Sequence, residues 1–141
     1  LGLIMAAIAT TSYIFWKGTG IGWDILLILI PAGLMTDGLI HSYFIVNHSR
    51  KAPSKTRAII YGFDVLFPFI WTAAFTIAGL MPVATIAIFL SLAIAIGCTK
   101  TMMHSIEGGF AMIGDMDQRT SNLQSIFLVL LSLAFIVEKF V

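Results

Sequence analysis

Charge is what this chain has least of. Only 11% of its 141 residues are Asp, Glu, Lys or Arg, against about a quarter in an ordinary globular domain. Hydrophobic residues make up 59% and the mean hydropathy is +1.00, which excludes a freely soluble domain and places most of the chain in lipid or against other protein. A net charge of +1 supplies no basic excess, so nucleic acid is not an expected partner. The lone Cys98 can form no internal disulfide and fits no CxxC metal spacing.

Several motifs of soluble enzymes are also missing. The stretch Gly108-Gly-Phe-Ala-Met-Ile-Gly114 lacks the GK[ST] ending of a phosphate loop and follows an apolar run with no strand before it. Ser42, Ser105 and Ser125 have no nucleophile-elbow context. The positions that mark small multidrug carriers, diacylglycerol kinases or haem-bearing anchor subunits are each matched too sparsely to transfer residues.

What is present is a series of long apolar runs. About 20 such residues cross a roughly 30 Å hydrocarbon core, and five spans are predicted at 1–16, 24–46, 58–78, 82–99 and 123–137. The expected fold is therefore all-α, a polytopic transmembrane helical bundle forming a single domain. Gly18, Gly20 and Gly22 punctuate the first connection, Gly79 and Pro82 the third, and Ser121-Asn-Leu-Gln124 has the capping-box spacing that starts a helix. The first span is short, rising only about 24 Å. A chain beginning with Leu1 is expected to have lost upstream sequence, and the first run could serve as an uncleaved signal anchor.

The eight basic residues set the expected orientation. Arg50, Lys51, Lys55, Arg57, Lys100 and Arg119 fall on one side, and only Lys17 and Lys139 on the other. Six against two puts the loop 47–57, and with it the N-terminus, on the cytoplasmic side of a cytoplasmic membrane or its organelle equivalent. Trp16 and Trp23 would then mark the outer interface, and Tyr43 and Tyr61 the inner one. Arg50, Lys51, Lys55 and Arg57 could also grip anionic lipid headgroups.

The few polar residues inside the runs are the candidate site. Asp37, His41 and His48 follow one another at i, i+4 and i+11, which places them within about 40° on one helix face. In the fourth run Ala93, Gly97, Lys100, His104 and Glu107 share a stripe in which polar residues prolong a line of small ones, and this stripe, with the neighbouring row Ala87, Ser91 and Ala95, is expected to face the bundle interior. Asp64 lies four residues before Pro68, which has no N–H to pair with the Asp64 carbonyl. His41 and Asp64 are expected at equal depth, with Asp37 deeper and a funnel opening at His48 and Lys100.

Acids at mid-bilayer cost on the order of 3 kcal/mol each even on gentle insertion scales, and such groups by default mark functional sites. The first expectation is a proton or small-cation relay through Asp37, His41, Asp64, His48 and Lys100, in a subunit of a larger membrane assembly. The alternative is a metal ion or haem held among His41, His104, Asp37, Asp64 and Glu107 for redox chemistry. A third reading is a non-catalytic packing subunit whose polar stripes pair with other membrane subunits or with a second copy.

Overall fold

In the computed structural model, which describes residues 2–18, 20 and 22–141, every regular element is helical. Helix α1 covers Gly2–Lys17 and stops at Gly18, whose φ of 75° suits glycine and whose N–H bonds the Ile14 carbonyl at 3.0 Å. Helix α2 covers Leu26–Phe44, the regular part of a continuous stretch Trp23–Ser49 that opens with a 3-10 turn and closes with a π turn. Arg50 ends it in the left-handed region, φ 50°, donating its N–H to Ile45 at 2.8 Å.

Helix α3 covers Lys55–Ile77 and starts at Ser54, whose hydroxyl accepts the Arg57 N–H at 3.2 Å. Helix α4, Leu92–Gly108, is preceded by an unusually long 3-10 segment, Val83–Ser91. A short 3-10 turn, Phe110–Ile113, leads into α5, Met116–Phe140.

Four of these stretches are long and apolar enough to cross a membrane: Trp23–Ser49, Lys55–Ile77, Val83–Gly108 and Phe110–Phe140. At 16 residues, α1 rises only about 24 Å and falls short of a full crossing. The predicted spans 24–46, 58–78, 82–99 and 123–137 lie within or within a residue of these stretches. Most of the helices run further, because hydropathy marks the greasy part of a helix while backbone hydrogen bonding carries it on into polar sequence. The ends differ most at α4, which runs on to Gly108, and at α5, which begins at Met116 and so leaves Ser121 inside the helix rather than capping it. The predicted first span begins at Leu1, outside the described residues.

Helix α5 is the centre of the bundle. It packs against α1, α2, α4 and the 3-10 segment Val83–Ser91, while α2 packs extensively on α3 and α3 on α4. Its buried side chains, among them Leu123, Phe127, Leu128, Leu131 and Phe135, recur at helical spacing on the covered stripe. Lipid-type positions such as Ile70, Leu90, Leu133 and Val137 point away from the rest of the chain.

Both prolines inside helices free a carbonyl, and at Pro31 the carbonyl has found a partner. The Leu27 oxygen accepts the indole N–H of Trp71 at 2.9 Å, pinning α2 to α3. Trp71→Phe removes that donor and is expected to cost about 1–2 kcal/mol. Pro31→Ala, which returns an N–H to the helix, should offset part of the loss. The unfolding midpoints of the two single variants and the double variant in lipid or detergent measure this coupling.

Candidate functional site

The close contact of α2 with α3 is built at Gly38. A Cβ there would lie 3.0 Å from Val65 Cγ1 and 3.4 Å from Asp64 Cβ, so the absence of a side chain is what lets the helices meet. One residue before Gly38 stands Asp37, and one turn after Asp37 stands His41. The helical i,i+4 spacing brings His41 Nε2 to 3.3 Å from Asp37 Oδ2.

Asp64 completes the group from α3. A carboxylate oxygen of each aspartate and a ring nitrogen of His41 all lie within 4.8 Å of one another. Asp64 is 3% exposed, and its Oδ2 is buried with no hydrogen-bond partner among the described residues. The side chains of Asp37 and His41 are 49% and 31% uncovered, so the group forms the wall of a seam rather than a sealed core. Asp37 also lines a groove of about 280 Å³ between α1 and α2, together with Ala6, Ala32, Gly33 and Thr36.

The group lies near the middle of its helices. Asp37 is one residue from the centre of Trp23–Ser49 and Asp64 two from the centre of Lys55–Ile77, depths at which ionisable side chains are most costly in hydrocarbon. Beside it, Gln124 of α5 donates its amide to Thr36 Oγ1 at 2.7 Å. Gln124, at the fourth position of a capping-box spacing, lies inside α5 and caps no helix. A single amide inside the apolar run Leu123–Leu131 was the available signal, because a buried amide must find a partner.

The other predicted site residues fall elsewhere. His48 lies at the end of the π turn, exposed, with its ring stacked on Phe44 at 5.6 Å and edge-on to Tyr43 at 6.0 Å. Lys100, His104, Glu107 and Ala93 all face away from the bundle, while the interior face of α4 carries Ala95, Cys98, Met102 and Ser105. Of the two rows expected to point inward, the one through Ser91 and Ala95 does so, and the stripe carrying Lys100, His104 and Glu107 is the outer one. Burial follows the row Ser91, Ala95, Cys98, Met102, offset from that stripe, since a helix turns toward its neighbours whichever row packs best. His104 and Glu107 line a separate groove of about 760 Å³ with Lys55 at the end of the bundle. The expected funnel through His48 and Lys100 to Asp37 is not formed.

Tyr61 also departs from its expected place at an interface. It is fully buried, with its hydroxyl 2.6 Å from Thr120 Oγ1 and 3.6 Å from Met116 Sδ. Thr120 gives its own proton to the Met116 carbonyl at 2.8 Å, so Tyr61 is the donor in the pair. Tyr43 and Trp23, by contrast, are exposed as expected of belt residues, Trp23 at 89%.

The bundle has chemically different ends. At one, Arg50, Lys51, Lys55 and Arg57 are exposed, Arg57 lies over the Phe44 ring at 4.9 Å, and Asn47 donates to Asp117 at 3.2 Å. At the other, Lys17 and the Tyr13 hydroxyl meet Asp24 at 3.9 and 2.9 Å, and Lys139 lies over Phe15 at 5.6 Å.

Among the described residues, fold and site together define an all-helical protein with four membrane-length apolar helices and an Asp/His group between two of them. In comparisons with family models, curated proteins and solved structures, nothing matches the chain.

Proposed function

We propose that this chain is an integral membrane protein that binds a small cation or passes a proton at Asp37, His41 and Asp64, as a subunit of a larger membrane assembly. The observation that carries the reading is the buried, unpartnered Asp64 Oδ2 with a second carboxylate and an imidazole beside it. Two carboxylates this close in a poorly polarisable setting repel unless a positive charge lies between them. A proton or a metal ion supplies it.

The assembly part rests on the uncovered parts of Asp37 and His41, about half of the one and a third of the other. Acyl chains against two ionisable groups at mid-helix depth would cost several kcal/mol, whereas another chain or a water-filled cleft between chains removes that cost. The basic end is assigned to the cytoplasmic side by the excess of Lys and Arg there, where Arg50, Lys51, Lys55 and Arg57 would also meet anionic headgroups.

The test is flux into proteoliposomes carrying a trapped pH or cation indicator. Wild-type protein is expected to dissipate an imposed gradient. Asp37→Asn and Asp64→Asn, which keep side-chain shape, are expected to hold the gradient while inserting and eluting like wild type. Equal flux in all three proteins, or none in wild type, refutes the relay. A mass measured in native lipid that corresponds to a single 15.4 kDa chain refutes the assembly.

A further inference from the structure

Resting on the reading that Asp37, His41 and Asp64 form a cation site, we propose that the ion is a divalent first-row ion of the zinc or cobalt class. Alkali and alkaline-earth ions are not the expected occupants. The donor set makes the first argument. Magnesium and calcium take oxygen ligands, while an imidazole nitrogen beside carboxylates suits zinc and its neighbours.

Charge makes the second argument. Two carboxylates and a neutral imidazole carry two negative charges, which a divalent ion cancels in full and a sodium or potassium ion only by half. Complete cancellation matters most for Asp64, whose oxygen is covered and has no hydrogen bond to spread its charge.

Spacing makes the third. With metal–ligand bonds of about 2.0–2.1 Å, two ligands of a tetrahedral ion stand about 3.3 Å apart, and His41 Nε2 and Asp37 Oδ2 are 3.3 Å apart. The third donor is within 4.8 Å, so the bound state needs a carboxylate to move closer than it stands here. The donors sit on rigid helices held together at Gly38, the kind of support that keeps a site preformed. Three protein ligands with a half-open side leave one position for water, for an exchanging ligand or for release, as in zinc sites that work rather than brace.

The experiment uses the full chain in lipid nanodiscs, titrated with Co²⁺ as the coloured probe and then with Zn²⁺. One Co²⁺ per chain with visible d–d absorption is expected, displaced by Zn²⁺ and not by a roughly hundredfold excess of Mg²⁺, Ca²⁺ or Na⁺. Asp37→Asn, His41→Asn and Asp64→Asn should each weaken binding by more than about tenfold, and Glu138→Gln at the far terminus should not change it. Binding that survives all three site variants, or that Mg²⁺ or Ca²⁺ displaces, overturns the assignment. Aspartate-dependent flux in a wild-type protein that binds neither Co²⁺ nor Zn²⁺ overturns the zinc-class ion and leaves the relay standing. Absence of both flux and binding removes the cation site itself.

Discussion

Gly38→Leu is expected to destabilise the bundle by about 2–3 kcal/mol and to abolish cation binding in the same step. The side chain would have to enter a space in which even a Cβ meets Val65 Cγ1 at 3.0 Å and Asp64 Cβ at 3.4 Å. These neighbours belong to a packed helix that cannot withdraw locally, and overpacking of such a contact typically costs 1–3 kcal/mol. Helices α2 and α3 must then separate, which carries Asp64 away from Asp37 and His41. Gly38→Ala separates the two effects. Its methyl is tight at 3.0 Å, but alanine recovers about 1 kcal/mol of helix propensity relative to glycine, so its stability should stay near that of wild type. Unfolding midpoints in lipid or mixed micelles, with Co²⁺ binding on the same samples, check both. A Leu variant that unfolds with wild type and binds normally would show that the helices do not meet at Gly38.

Phe127→Ala carries the second large effect, at the hub of the fold. Phe127 is fully buried on α5 and meets Phe69 of α3 edge to face at 5.1 Å. In a soluble core such a truncation costs about 3–5 kcal/mol, part of it for transfer from water. Here the unfolded helices remain in lipid, where that transfer term falls away and lost packing against the cavity remains. About 2–3 kcal/mol is therefore expected. Leu133→Ala, on the outer face of the same helix at 50% exposure, trades one apolar contact with lipid for another and should stay within about 0.5 kcal/mol of wild type. Equal losses at the two positions would mean that α5 is not turned as described.

Much of this arrangement was legible before any coordinates. The apolar runs in positions 24–46 and 58–78 became α2 and α3 within a few residues, because twenty greasy residues in a row have few alternatives to a helix whose backbone is satisfied internally. Asp37 and His41 were placed together correctly by the i,i+4 rule, which is local and does not depend on neighbours. The approach of Asp64 to His41 is expected from their equal depth, and the two helices do bring them together with Asp37.

Other assignments failed where the deciding contacts lie between helices. Lys100, His104 and Glu107 share a face with Ala93 and Gly97, but nothing local separates that face from the neighbouring row through Ser91 and Ala95, and only the latter, continued by Cys98 and Met102, turns inward. Tyr61 looks like an interface aromatic in a one-dimensional profile, yet a partner hydroxyl from Thr120, far along the chain, makes its burial affordable. Gln124 fits the spacing of a cap, and only the approach of Thr36 at 2.7 Å shows it to be an interhelical tie.

By itself, then, the order of residues determined the all-helical, apolar character of the chain, the positions of its four long helices to within several residues, though with a fifth span expected at 1–16 that is too short to cross, and the local pairing of Asp37 with His41, all of which follow from hydropathy and helix periodicity. Tertiary structure alone decided which faces turn inward, that α5 is the hub, and that Asp64 closes on its two partners from another helix. The physical reason is that burial in a membrane bundle is chosen by close packing at small residues such as Gly38, a property of two surfaces together that neither strand of sequence carries alone.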